Sequence, residues 1–568
     1  MTRKNLVGFK NLRGLTKNII TLQNIGTMEN AEWLEKLFPT EEAIPEAYRF
    51  TTPVHTKKYL IGGEMRDWNG AMQDVESPIY IDAKGEHVKQ FLGSYPLIGK
   101  TEAVEALASA EKAYNNGRGE WPTMSIESRI ACVEAFVKKM ITFRSHVINL
   151  LMWEIGKSLP DSEKEFDRTV DYIYATIEDL KILDRKSSGF VIEGGVIGQI
   201  RRSPLGIVLC MGPFNYPLNE TFTIFIPALI MGNVILFKPP RQGILLHDIF
   251  QEAYRDCFPA GVVNYLYGRG SVVVPPLMES GKIDVLTLIG SSKMADRLQK
   301  SHPKVNRLRS VLGLDAKNAA IILKDADLDA AVKEIVLGSL SFNGQRCTAI
   351  KIILVHQSLV EAFIQKLDVA IQQLKIGMPW EKGVQITPVA EPEKPAYLQE
   401  CIDDAIAKGA KIMNKQGGEQ ALSFVFPTVV YPVKLGMTLY SEEQFGPVIP
   451  VAAFEDLNEP VDYLIQSNHG QQVSVFGTNA KDLAHIMDFL VNQVARVNIN
   501  AQCQRGPDVF PFTGRKDSAA GTLSVHDAIR SFSIRSIVAT KNSPADKALF
   551  NEIVRDDLSH FLSTRFIF

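Results

Sequence analysis

Between residues 206 and 289 the chain repeats one alternation, a short apolar run of strand length followed by a segment of helical length. The runs fall at 206–210, 234–237, 262–267 and 285–289. Parallel strands need crossover connections, and helices are what usually supply them, so this alternation predicts an open parallel sheet of βαβ units. A second series begins at 319 with Ala-Ala-Ile-Ile-Leu. Asp327 follows as an N-cap, then a helix with Leu328, Ala331, Val332, Ile335 and Val336 on one face, ending around Asn343-Gly344. Another strand is expected at 350–355, a helix at 359–374, and strands near 448–451 and 473–476. Upstream, Ile130, Val133, Phe136, Val137 and Met140 keep helical spacing within 125–158, and a second long helix is expected over 160–183. Two α/β domains meeting near residue 315 are the reading. Trp33, Leu34, Leu37 and Phe38 make a short amphipathic helix packed on the main body, ended by Pro39.

Composition excludes several functions. Sixty-two Lys and Arg against 64 Asp and Glu give a formal charge of −2, so there is no basic field for nucleic acid or an anionic membrane. The longest apolar stretch, 224–237, is interrupted by Pro227, Gly232 and Asn233 and is too short to cross roughly 30 Å of hydrocarbon. Six cysteines contain no CxxC pair, which reads as a reducing compartment and calls for no metal. The first 28 residues carry Arg3, Lys4, Lys10, Arg13 and Lys17 with no acid before Glu29, faintly like a mitochondrial presequence; sparse arginine favours Met28 as the working start. A cytoplasmic location is expected, with a mitochondrial one as the alternative.

Cys347 stands in FNGQRCTAIK, in a loop just past the expected helix stop and beside Arg346, a cationic setting expected to lower the thiol pKa. Most cysteines are small buried hydrophobes, and Cys132, Cys210 and Cys257 fit that description. FNGQRCTA at 342–349 resembles the catalytic-cysteine segment of the aldehyde dehydrogenase superfamily, and four further stretches agree in order over roughly 60–540: PFNYP at 213–217, FKPP at 237–240, GSSKMA at 290–295 and EEQFGPVIPV at 442–451. Within the superfamily, QRGPDVFPF at 504–512 and KPPRQG at 238–243 are similar to the NADP-dependent non-phosphorylating glyceraldehyde-3-phosphate dehydrogenases.

The resemblance implies an aldehyde dehydrogenase fold: a Rossmann-like cofactor domain over 60–315 after a 1–59 extension, an α/β catalytic domain over 316–505, and a 506–568 return to the cofactor domain. A β oligomerisation arm would combine 187–203 with 530–541 and make a homodimer or homotetramer. Residues 542–568 go beyond the usual end, and Leu549, Ile553, Leu558 and Phe561 suggest packing on a partner. Cys347 would attack the aldehyde, with Asn215 and a backbone N–H holding the oxyanion. Glu443 would hold the nicotinamide ribose and Phe445 confine the ring. The substrate phosphate of glyceraldehyde 3-phosphate would meet Arg168, Tyr216, Arg346 and Arg505, a chemistry guanidinium forks suit.

Lys238 and Arg241 follow a strand end, where a sheet faces its ligand, and no acid occurs between Lys238 and Leu246 to grip a free ribose. NADP is therefore expected, with NAD as the alternative; this branch would carry threonine where Arg241 stands. Gly268, Gly270, Gly290 and Ser291 would let backbone approach the cofactor, while GGVIG at 194–198 reads as a hairpin turn. The family's deacylation glutamate lies in a segment resembling LELGGK, here LGLDAK at 312–317, so the base position is Gly313. Asp315 points to the same face of an extended segment and is the candidate replacement base, against a role as a turn or capping residue. The same gap opens two alternatives: transfer of the acyl group to coenzyme A, or a weakened nucleotide-binding homologue.

Overall fold

The computed structural model describes residues 31–564, so the basic leader lies outside the described residues. Its centre is a six-stranded sheet in the order Val263–Tyr265, Val234–Lys238, Ile207–Met211, Val285–Ile289, Arg309–Gly313 and Ala519–Ala520. The first five strands run parallel and the last is antiparallel, pairing Leu312 with Ala520 and Gly313 with Ala519. All five residues of Ile207–Met211 are buried, as expected of a central parallel strand covered on both faces. The helix Asn219–Ile230, buried at every position, fills one side.

The chain leaves this sheet at Gly313 and enters a second one at Ala319. That sheet has seven strands in the order Lys411–Ile412, Thr428–Tyr431, Val448–Phe454, Ile352–His356, Ala319–Ile322, Gln472–Phe476 and Arg496–Ile499. All neighbours are parallel except the first pair. Asp327 caps Leu328–Leu340 by accepting from the Asp329 and Ala330 amides. A third, antiparallel sheet joins Ser533–Lys541 to Val196–Pro204 and Phe190–Glu193, with Gly194-Gly195 turning the hairpin at positive φ. Among the described residues no helix is long and apolar enough to cross a membrane.

Three expectations change in detail. The segment 125–158 is two helices, Ile126–Thr142 and Arg144–Ile155, divided at Phe143. The helix expected to stop at Asn343-Gly344 ends at Leu340, and Phe342, Asn343 and Gly344 all take left-handed φ (+49°, +56°, +69°) in a tight turn. A Cβ on Gly344 would lie 2.7 Å from the Gly446 and Ser339 carbonyl oxygens, so this turn requires glycine. The C-terminal segment packs on its own chain: Phe550 and Leu562 are buried against Ile197, with Ile553 and Phe561 alongside, while Leu549 and Leu558 stay exposed. The helix Pro544–Arg555 thus turns Phe550 and Ile553 inward and leaves Leu549 to solvent. At the other end, Phe38 is buried against Phe424 with ring centroids 5.0 Å apart.

Candidate active site

Cys347 lies in the turn after Leu328–Leu340, at a cavity of about 800 Å³ between the carboxyl ends of the six-stranded sheet and the segments that lead into strands of the seven-stranded one. Asn215, Gly290, Ser291, Gly313, Asp315, Glu443 and Phe445 line the same cavity, and Arg241 stands at its exposed edge. The cysteine turn is tied down from two directions. Asn343 exchanges hydrogen bonds with Thr387, donating to its carbonyl at 2.9 Å and accepting from its amide at 3.0 Å. Lys351 donates to the carbonyls of Arg346 and Cys347 at 2.9 and 3.0 Å and pairs with Glu443 at 2.7 Å.

The cationic setting expected for Cys347 does not govern its ionisation. Burial pushes the thiol up, and Glu443 adds to it, against smaller lowering by Lys351 and Arg346. Arg346 donates instead to the Leu337 and Gly338 carbonyls at the end of the preceding helix, at 3.0 and 2.9 Å. Asn215 is buried and donates through Nδ2 to the Gln345 carbonyl at 2.8 Å, which fixes its amide beside the cysteine turn. Lys157 donates to the Asn215 carbonyl at 2.8 Å and forms a fully buried ion pair with Glu165, which accepts from the Leu218 and Asn219 amides. Nothing local in the sequence marked Lys157 or Glu165, the residues that hold the Asn215 loop.

The four residues expected to hold a substrate phosphate are not gathered on this cavity. Arg168 pairs with Asp508 at 2.6 Å, and Arg505 is committed at every nitrogen: to Asp508 at 3.3 Å, to the Leu523 carbonyl at 3.0 Å, and to Glu220. Buried guanidinium groups demand such compensation. Tyr216 lies under Lys157, whose Nζ is 3.6 Å from the ring centroid, and packs edge-on against Phe342. Glu220 itself lines the cavity, so the arginine cluster stands directly behind that wall.

Lys238, at the end of its strand, donates to the Pro239 carbonyl at 2.6 Å, and burial pulls its pKa down to about 8. Arg241 is exposed, 3.9 Å from Glu393. Gly268 and Gly270 do not line the cavity; a Cβ at Gly268 would lie 2.7 Å from the Ile98 carbonyl oxygen, so that glycine serves packing. Phe445 takes φ +48° and meets Phe214 edge-on at 5.8 Å. Asp315 accepts through Oδ2 from the Ser292 amide at 2.7 Å and the Ser292 hydroxyl at 2.8 Å, which places it at the first turn of Ser292–Ser301. Gly313 leaves room: a Cβ there would meet Leu523 at 3.4 Å and Ile289 at 3.5 Å, ordinary contacts.

Comparison with known proteins agrees with this architecture. Residues 79–538 match the model of the aldehyde dehydrogenase family. The chain is 34% identical over 508 residues to the NADP-dependent glyceraldehyde-3-phosphate dehydrogenase of Streptococcus equinus, covering 87% of this chain and all of that one. It is 27% identical to the malonate-semialdehyde dehydrogenase of Listeria monocytogenes, over 86% of this chain and 97% of the relative. Among solved structures, the NADP complex of the NADP-dependent glyceraldehyde-3-phosphate dehydrogenase of Bacillus halodurans superposes with a TM-score of 0.77 at 31% identity, over 86% of this chain and all of that one. The match spans both large sheets, the cysteine turn and the asparagine loop, and the chain belongs to the aldehyde dehydrogenase family.

Proposed function

We propose that the protein oxidises a small phosphorylated aldehyde, most specifically glyceraldehyde 3-phosphate to 3-phosphoglycerate, with NADP as the oxidant. The observation that carries this reading is the shared cavity of Cys347, Asn215 and Glu443. The likeness to NADP-dependent glyceraldehyde-3-phosphate dehydrogenases of two bacteria supports the substrate and cofactor. The cation set suits NADP. Lys238 is a half-buried ammonium held by a carbonyl, and Arg241 a solvated guanidinium three residues on, chemistry that suits a ribose 2′-phosphate.

Bound there, NADP supplies a hydride acceptor. The chain does the rest. The Cys347 thiol gives its proton to solvent water, its thiolate adds to the aldehyde carbon, and the Asn215 Nδ2–H with a backbone N–H of the cysteine turn stabilises the oxyanion. Hydride departure from the same carbon leaves a thioester on Cys347. Glu443, fixed by Lys351, orients the ribose, and Phe445 against Phe214 limits the ring's travel. Asp315, on the same wall as Gly313, accepts the proton of the water that cleaves the thioester. Arg505 behind Glu220, with Arg168 joined to it through Asp508, recognises the substrate phosphate once Glu220 yields Arg505, while Arg346 and Tyr216 would have to leave the Leu337 and Gly338 carbonyls and the Lys157 contact to join them. Edge strands Phe190–Glu193 and Ser533–Lys541, with Val191, Ile192 and Ile537 exposed, carry the pairing into a homodimer or homotetramer.

Rapid mixing with NADP and glyceraldehyde 3-phosphate tests the reading: a burst of NADPH followed by turnover in water is expected. A burst that continues only with coenzyme A would assign the acyl group to that acceptor, the reading that Gly313 favours. Absence of a burst refutes oxidation of this aldehyde.

A further inference from the structure

A second cavity, of about 450 Å³, shares no residue with the one at Cys347. It is enclosed by the start of the helix Ile126–Thr142, the end of the strand Val196–Pro204 and the C-terminal segment 557–561. Three guanidinium groups line it: Arg129, Arg201 and Arg202. Only one of them is balanced. Arg201 pairs with Asp184 and donates to the Phe561 carbonyl at 2.8 Å and to that of Ser563.

Arg202 donates to the Ser533 hydroxyl at 2.7 Å and to the carbonyls of Arg530 and Ser533, and no carboxylate lies within ion-pair range of it among the described residues. Burial and the neighbouring Arg530, Arg535 and Arg309 all disfavour its charge. Arg129 is more extreme. It is 4% exposed, its Nε is buried without a partner, and its side chain makes no hydrogen bond or ion pair among the described residues. Burial pulls its pKa down to about 10, with Asp184 the one charge opposing that shift. It therefore remains a cation at neutral pH, held by packing: a Cβ on Gly232 would lie 2.3 Å from Arg129 Nη1. A buried cation whose one nearby carboxylate, Asp184, is already paired with Arg201 is costly unless something supplies another.

We propose that this cavity binds a small phosphomonoester, whose oxygens complete Arg129 and Arg202. Asp557 is the one acid among the lining residues, set against three arginines, so the cavity favours an anion. Its volume lies within the roughly 300–1,000 Å³ typical of small-molecule sites. Ser559 and His560 stand at its wall, and His560 is already anchored to the Thr123 carbonyl at 2.9 Å. The ligand clamps segment 557–562 onto the strand Val196–Pro204, which is paired along its length with Ser533–Lys541. The site thus links a soluble phosphate ester to the sheet that ends in exposed edge strands.

The test is hydrogen exchange on the full chain saturated with NADP, titrated with inorganic phosphate, glycerol 3-phosphate, or acetate as a carboxylate control. Phosphate and glycerol 3-phosphate should slow exchange in 557–562 and in the first turn of Ile126–Thr142, and acetate at equal concentration should not. Arg129→Met, which replaces the cation by an unbranched apolar chain, should weaken this protection at least tenfold in concentration. Should that variant fail to fold, Arg202→Gln at the half-buried position carries the same expectation. No protection in the wild type, equal protection by acetate, or undiminished protection in a folded variant overturns the proposal.

Discussion

Replacing Asp315 by Asn isolates the deacylation step, because the structure separates that residue's two roles. Its capping role needs only an acceptor for the Ser292 amide and hydroxyl at 2.7 and 2.8 Å, which an amide oxygen supplies. Stability should therefore change by less than about 1 kcal/mol, the scale of a lost cap. Its proposed chemical role needs a base, which an amide is not. Positioned general bases contribute on the order of 10²–10⁴ in rate, or about 3–5 kcal/mol. Asp315→Asn should retain the NADPH burst, lose at least a hundredfold in steady-state turnover, and show an acyl adduct at Cys347 by intact mass. Adding Gly313→Glu should restore turnover, since Gly313 has no left-handed φ and a Cβ there meets only ordinary contacts at 3.4–3.7 Å. Wild-type turnover in a folded Asp315→Asn protein would refute the assignment. A double variant that folds, bursts and still stalls would refute the placement of the base position at Gly313.

Because burial raises the Cys347 thiol, its alkylation by iodoacetamide in the apoprotein should be slow at pH 7 and keep accelerating as pH rises beyond the ordinary thiol range; a plateau near neutrality would contradict the direction. Lys238 loses its proton as pH rises through about 8, so NADP binding at pH 8.5 should take up a proton, measurable by calorimetry in buffers of different ionisation enthalpy. Arg241→Ala should weaken NADP about tenfold and leave NAD unchanged, and equal losses would place Arg241 off the 2′-phosphate. Glu220→Gln removes the carboxylate paired with Arg505 and should lower KM for a phosphorylated aldehyde but not for its unphosphorylated analogue; equal changes would remove Arg505 from substrate recognition.

The strands were legible because their side chains are apolar at nearly every position, a pattern readable without partners, as in Ile207–Met211 and Val285–Ile289. Motif order located Cys347, Asn215 and Glu443 for the same reason: each lies in a short contiguous segment. What stayed illegible depends on contacts far apart in the chain. Arg505 finds Glu220 across 285 residues and Arg168 finds Asp508 across 340, so neither pairing leaves a local trace. Reading the arginines as ready phosphate ligands omitted the acids that burial forces upon them. The thiol was misjudged likewise, since adjacency to Arg346 in sequence says nothing of where a long side chain points.

The same compensation narrows the search for a deacylation base. Four carboxylates line the Cys347 cavity besides Asp315: Glu220, Glu391, Glu393 and Glu443. Glu443 is held by Lys351 and Glu220 by Arg505, both buried ion pairs whose disruption strands a cation. Glu391 pairs with Lys394, and Glu393 is 71% exposed, where water competes for any proton it takes. Asp315 alone is held by neutral donors, one amide and one hydroxyl. Those two bonds are to a charged group and contribute about 1.5–3 kcal/mol each, but protonating Asp315 leaves no buried cation without its partner. The base we propose is the carboxylate that strands no cation when it takes up a proton, and on this wall that carboxylate is Asp315.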